Sequence, residues 1–260
     1  MNTNELFRLD GRVALVTGGA GLYGVHITRA LAEVGAHVVI ASRTKDQCEK
    51  VSSEMNAEGL QVSASHLDLG SSESITRLCE NIVGKFGKID ILFNNAVARA
   101  GGDPSTVTEE EWETAMRINS TGFFLSCKIF GEQMRKQGFG VIVNISSIYG
   151  VVAPNFNIYE GTEMTSPANY AFAKGGMINF TRYLASYYGR YGIRVNSISP
   201  GGFHTDDQPD IFVENYSRQT LLGRMAVDDD IKGAAVFLAS DASSYITGQN
   251  LMVDGGWTAI

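Results

Sequence analysis

No stretch of this sequence approaches the roughly 18 uninterrupted apolar residues that a membrane-crossing helix needs. The opening residues through Arg8 are acidic and polar, without the apolar core of an export signal. A membrane partner is therefore not expected, and the expected compartment is the cytoplasm. Cysteine is scarce. Cys48, Cys79 and Cys127 are odd in number and far apart, which gives neither a disulfide framework nor a paired-thiol metal site. His26, His37, His66 and His204 show no ligand spacing, so no catalytic metal is expected. Positive charge is also short: 21 Lys and Arg stand against 28 Asp and Glu, a net −7, which argues against nucleic acid and anionic lipid as partners. With only 5 prolines, no linker, repeat or low-complexity run divides the chain. What remains is 260 residues, 44% hydrophobic, enough to bury the core of a single domain over 1–260 that serves a small molecule.

Short Val- and Ile-rich runs alternate with longer segments of helical spacing. Strands are expected at 13–17, 37–41, 61–66, 89–93, 140–145, 193–198 and 250–254. Helices are expected at 22–34, 44–57, 71–86, 109–136, 168–189 and 228–239, with Ser71, Thr108 and Asp228 as capping residues. This alternation predicts an α/β, doubly wound Rossmann fold: a parallel seven-stranded sheet with helices on both faces. Two loops are unusually long, 146–167 and 199–227. Both emerge at carboxyl ends of strands, where ligands sit in such sheets.

Gly18, Gly19, Gly21, Leu22, Tyr23 and Gly24 lie in TGGAGLYG, which follows the first strand and opens the first long helix. Glycine there permits a tight turn and a close backbone approach to a pyrophosphate resting on the helix amides. After the second strand, where NAD enzymes commonly place an acid, stand Ser42 and Arg43. A carboxylate repels a 2′-phosphate, whereas a hydroxyl and a guanidinium both donate to it, which favours NADP(H) over NAD(H).

Tyr170 and Lys174 are four residues apart in a helical segment, one turn apart on one face. A phenol beside an ammonium is drawn toward phenolate and so toward acid–base work near neutrality. Ser147 ends a strand-like run and offers a hydroxyl to a carbonyl oxygen. Asn119 is a polar residue inside a long helical pattern, either functional or satisfied by backbone.

The ordered set TGxxxxxG at 17–24, Asp68, NNA at 94–96, Asn119, Ser147, YxxxK at 170–174, PG at 200–201 and ITGQ…VDGG at 246–256 resembles the short-chain dehydrogenase/reductases across nearly the whole chain. The resemblance implies an NAD(P)(H)-dependent oxidoreductase that interconverts a secondary alcohol and a ketone. Tyr170 would be the acid/base and Lys174 would lower its pKa and hold the nicotinamide ribose. Ser147 would polarise the carbonyl, and Asn119 would anchor a relay water. Gly18, Gly24, Asp68 with Leu69, Asn95 with Ala96, Pro200, Gly201 and Thr205 would line the cofactor. Packing of 109–136 and 168–189 between subunits would give a homotetramer. Three departures stand out: Leu22 in place of a family glycine, Val97 in place of the glycine after NNA, and about ten extra residues between Ser147 and Tyr170.

Those extra residues bring Asn155, Asn157, Tyr159, Glu160, Thr162 and Glu163 toward the expected reaction centre, and the second loop brings His204, Asp206 and Asp207. Amides, hydroxyls and carboxylates suit a polyhydroxylated substrate such as a sugar or sugar acid, with Glu160, Phe203 and His204 as candidate contacts. The same residues also suit capping of a surface loop, and Phe156 with Phe203 suits an apolar pocket. Two other functions stay open: 3-oxoacyl-thioester reduction, disfavoured by the acidic surface, and a non-catalytic dinucleotide-binding regulator.

Overall fold

The computed structural model describes residues 2–99 and 101–260. In chain order the elements are α1 (Thr3–Leu6), β1 (Val13–Thr17), α2 (Leu22–Glu33), β2 (His37–Ser42), α3 (Lys45–Ala57), β3 (Val62–His66), α4 (Ser72–Phe86) and β4 (Ile91–Asn94). The second half follows with α5 (Glu109–Met116), α6 (Phe123–Gln137), β5 (Gly140–Ile145), α7 (Ala168–Tyr188), β6 (Ile193–Pro200), α8 (Asp210–Ser217), α9 (Lys232–Ala239) and β7 (Asn250–Val253). The seven strands form one parallel sheet in the order β3-β2-β1-β4-β5-β6-β7. The chain reverses its winding between β1 and β4, which opens a crevice at their carboxyl ends.

The inner strands β1, β4 and β5 are buried throughout, which explains their apolar, Val- and Ile-rich content, while the edge strands β3 and β7 are only partly buried. Along β1, Ala14 and Val16 pack with α2 and α9, while Val13 and Leu15 pack with α4, α6 and α7. Under the sheet's carboxyl edge, Asn94 donates to Asn144 at 2.9 Å, Asn144 donates to Thr181 at 2.9 Å, and Ser126 donates to Asn94 at 2.8 Å. This buried polar ladder ties α6 and α7 to β4 and β5.

Three expectations need correction. The helix expected over 109–136 is interrupted by a π segment at Arg117–Gly122, where Gly122 packs so closely on Leu69 that a Cβ would strike its carbonyl. The loop 199–227 holds a helix, α8. Asp228 caps nothing, because α9 begins at Lys232; its carboxylate pairs with His26 at 3.3 Å. Ser71 and Thr108 do cap, the latter through a full capping box with Glu111.

Candidate active site

Between the carboxyl ends of β1 and β4 lies a cleft of about 850 Å³ that continues past β5 and β6. Its wall includes residues from the glycine loop, the ends of β2, β3 and β4, and both long loops.

At one end Gly18, Gly21, Leu22, Tyr23, Ser42, Arg43, Asp68, Leu69, Asn95 and Ala96 line the cleft. Gly18 turns at φ +64°, and a Cβ there would meet Ala96 Cα at 3.0 Å. Gly19 and Gly24 stand behind the wall; a Cβ would press the first into Ile40 and the second onto the Gly18 carbonyl. Thr17 and Asn95 lock this turn: Thr17 Oγ1 accepts from the Asn95 and Ala96 amides at 3.0 Å, and Asn95 Nδ2 donates to the Thr17 and Gly18 carbonyls. No side chain caps the first turn of α2, which leaves backbone donors at the cleft for an anion. The glycine run, the open helix end and the polar strand ends fit a dinucleotide.

Next to these, joined by the Tyr23 hydroxyl that donates to the Gly201 carbonyl at 3.0 Å, stand Ser147, Tyr170, Lys174, Pro200, Gly201 and Thr205. Ser147 caps a short 3-10 turn, accepting from the Tyr149 amide at 3.2 Å. Tyr170 and Lys174 lie one turn apart on α7, with Lys174 Nζ 5.5 Å from the phenol ring centre. Lys174 is buried and donates to the Ile145 carbonyl at 2.5 Å. Burial lowers its pKa to about 7, helped by the positive charge of Arg99. Burial likewise raises the Tyr170 phenol, while a hydrogen bond with Ser147 and the charge of Arg99 draw it back down. Asn119 is off the wall, in the π segment; its amide donates to the Ala98 carbonyl and accepts from the Ala98 amide, both at 2.8 Å.

The insert divides its labour. Asn155 caps a 3-10 turn and donates to Gln219, and Thr162 closes a turn on the Tyr159 carbonyl. Glu160 and Glu163 are exposed, and neither Glu160 nor His204 is on the cleft wall. Phe203 is on it. Polar groups of these loops that do line the cleft include Tyr149 and Tyr159, joined by a 3.2 Å hydrogen bond, with Thr165, Ser166, Asp207 and Gln208. The exposed Phe156 lies outside the wall. Arg99 and Tyr149 went unread in the sequence because they sit in loops with no spacing to mark them. Leu22 opens α2 on the wall, and Val97 lines it beyond β4.

A family model described as enoyl-(acyl carrier protein) reductase matches residues 21–258. The chain belongs to the short-chain dehydrogenase/reductase family. Among curated relatives of this short-chain dehydrogenase/reductase, gluconate 5-dehydrogenase of Gluconobacter oxydans (strain 621H) is 32% identical over 99% of each chain. D-threitol dehydrogenase of Mycolicibacterium smegmatis is also 32% identical, over 97% of this chain and 95% of its own. Reductases of 3-oxoacyl-carrier proteins are relatives too. A solved gluconate 5-dehydrogenase from Burkholderia cenocepacia J2315, in complex with NADP and tartrate, aligns over 100% of both chains at a TM-score of 0.90 and 31% identity. The short-chain dehydrogenase/reductase described here is thus a nucleotide-dependent oxidoreductase. Among its described residues no helix is long and apolar enough to cross a membrane, and no group of three His, Cys, Asp or Glu is placed to hold a metal ion.

Proposed function

We propose that this oxidoreductase interconverts a secondary alcohol and a ketone on a polyhydroxylated small molecule, with Tyr170 as the acid/base. One observation carries the reading: Ser147, Tyr170 and Lys174 share a single cleft with Gly18, Asp68, Asn95 and Thr205. A bound nicotinamide supplies the hydride acceptor or donor. In the oxidation direction Tyr170 takes the proton of the substrate hydroxyl, and Ser147 holds the oxygen as it becomes a carbonyl. Lys174, one turn along α7 and held by the Ile145 carbonyl, places its ammonium beside the phenol, where it would favour the phenolate and hold the nicotinamide ribose. Asn119 serves this group by position, since its amide is committed to Ala98.

The polar substrate is favoured by Tyr149, Tyr159, Thr165 and Ser166 on the wall, and by the names of the gluconate and threitol relatives. Arg43, exposed at the end of β2 and on the wall, favours NADP(H) over NAD(H). Ser42 adds less than its sequence position promised, because its hydroxyl already donates to the Thr44 carbonyl at 3.0 Å. A single domain, assembled as a cytoplasmic homotetramer, completes the reading. The three cysteines fit a reducing compartment as buried thiols whose pKa values burial raises.

Replacing Tyr170 with Phe tests the chemistry. Turnover of whichever polyol or sugar acid a spectrophotometric screen identifies should fall by about 100-fold or more, while cofactor titration stays within a few-fold of wild type. Retained turnover refutes the assignment.

A further inference from the structure

We infer that Arg99 anchors a substrate carboxylate, so that the enzyme selects a polyhydroxylated acid over a neutral polyol; this rests on the alcohol/ketone reading above. Arg99 follows β4 and shares the cleft wall with Ser147, Tyr170 and Lys174. Its entry point is built. Asn119 grips both backbone groups of the preceding residue, Ala98, at 2.8 Å, so the π segment sets where this side chain leaves the main chain.

Several other arginines are engaged: Arg29 and Arg224 pair with carboxylates, while Arg117 and Arg194 donate to backbone carbonyls. Arg99 has no acid in salt-bridge reach and no hydrogen-bond partner among the described residues. Its place on the wall and the action of its charge on Tyr170 and Lys174 set it beside the reaction centre. No carboxylate is among the groups acting on Tyr170 or Lys174. Of the acids on the wall, Asp68 accepts from the Gly70 amide after β3, and Asp207 is exposed on the second long loop. Arg99 therefore brings positive charge to the reaction centre with no carboxylate acting on Tyr170 or Lys174 beside it. A carboxylate meets that need, and a guanidinium offers it two parallel donors. The hydroxyls of the same substrate would then run along Tyr149, Tyr159, Thr165 and Ser166.

The test compares gluconate, or its keto form, with a neutral polyol of similar length, using wild type, Arg99→Lys and Arg99→Gln. Wild type should prefer the acid. In Arg99→Gln the acid-over-polyol ratio of kcat/KM should fall roughly 10- to 100-fold, mainly through KM, and Arg99→Lys should recover part of it. A ratio that does not move overturns the inference. So does a fall in NADPH affinity, read by fluorescence titration, that accounts for the whole effect, since Arg99 would then be a cofactor ligand. Wild-type turnover of neutral polyols alone overturns the Arg99 assignment and leaves the polyol reading standing. Activity confined to 3-oxoacyl thioesters overturns both.

Discussion

Arg43 stands exposed where β2 ends, on the cleft wall and with no ion pair among the described residues. A guanidinium so placed is available to a 2′-phosphate and has nothing else to neutralise it. Arg43→Ala should therefore weaken NADPH by roughly 10- to 100-fold, the usual range for losing charge-assisted hydrogen bonds, and weaken NADH much less. Paired titrations with the two cofactors check this. Equal losses would assign Arg43 to a feature the two share. The neighbouring residue shows how far a sequence position can be read. Ser42 occupies the expected place, yet its hydroxyl turns to Thr44 and contacts Cys48 at 3.2 Å. Residue type and position were legible there, and side-chain direction was not. The same holds at Glu160, whose charge suggested a substrate contact although the neighbouring Tyr159 is the side chain on the cleft wall.

Among the elements, the strands were legible because a parallel sheet buried on both faces demands continuous β-branched content, as in β1 and β5. The π segment at Arg117–Gly122 was not, since a register shift of one residue in the hydrogen-bond ladder hardly disturbs apolar spacing. Asn119 was the visible trace of it, a polar residue where an uninterrupted helix gives no reason for one. The ladder of Asn94, Asn144 and Thr181 was half legible: Asn94 stood in the NNA motif, but its partners lie 50 and 87 residues further along the chain. Asn144 is fully buried, accepts from one partner and donates to the other. Asn144→Leu should strand both, at a cost of about 2 to 4 kcal/mol. Urea unfolding should read this as a lower midpoint with little change in slope. A loss under about 1 kcal/mol would mean that apolar packing, not the ladder, holds α6 and α7 on β4 and β5.

For the whole molecule, the outer face of α6 and α7 carries Phe124, Phe172, Tyr183 and Tyr187 in exposed positions. Phe180 stacks on Tyr183 at 5.5 Å, and Trp112 of α5 lies 5.6 Å from Phe172. Large rings gathered on two adjacent helices form an apolar patch of the kind that subunit contacts bury. Because α7 also carries Tyr170 and Lys174, a subunit contact on its outer face would brace the catalytic helix from behind. The proposed homotetramer should appear in sedimentation as a species of about four times the chain's 28.1 kDa. Tyr183→Arg would place a charge on that face, and closed symmetry would repeat the insult at each copy of the contact. The variant should sediment as dimers or monomers, with reduced turnover at low protein concentration that recovers as concentration rises. A wild-type protein that sediments as a monomer at micromolar concentration would refute the assembly. A tetramer unaffected by Tyr183→Arg would instead move the contact to another face and leave the brace on α7 without support.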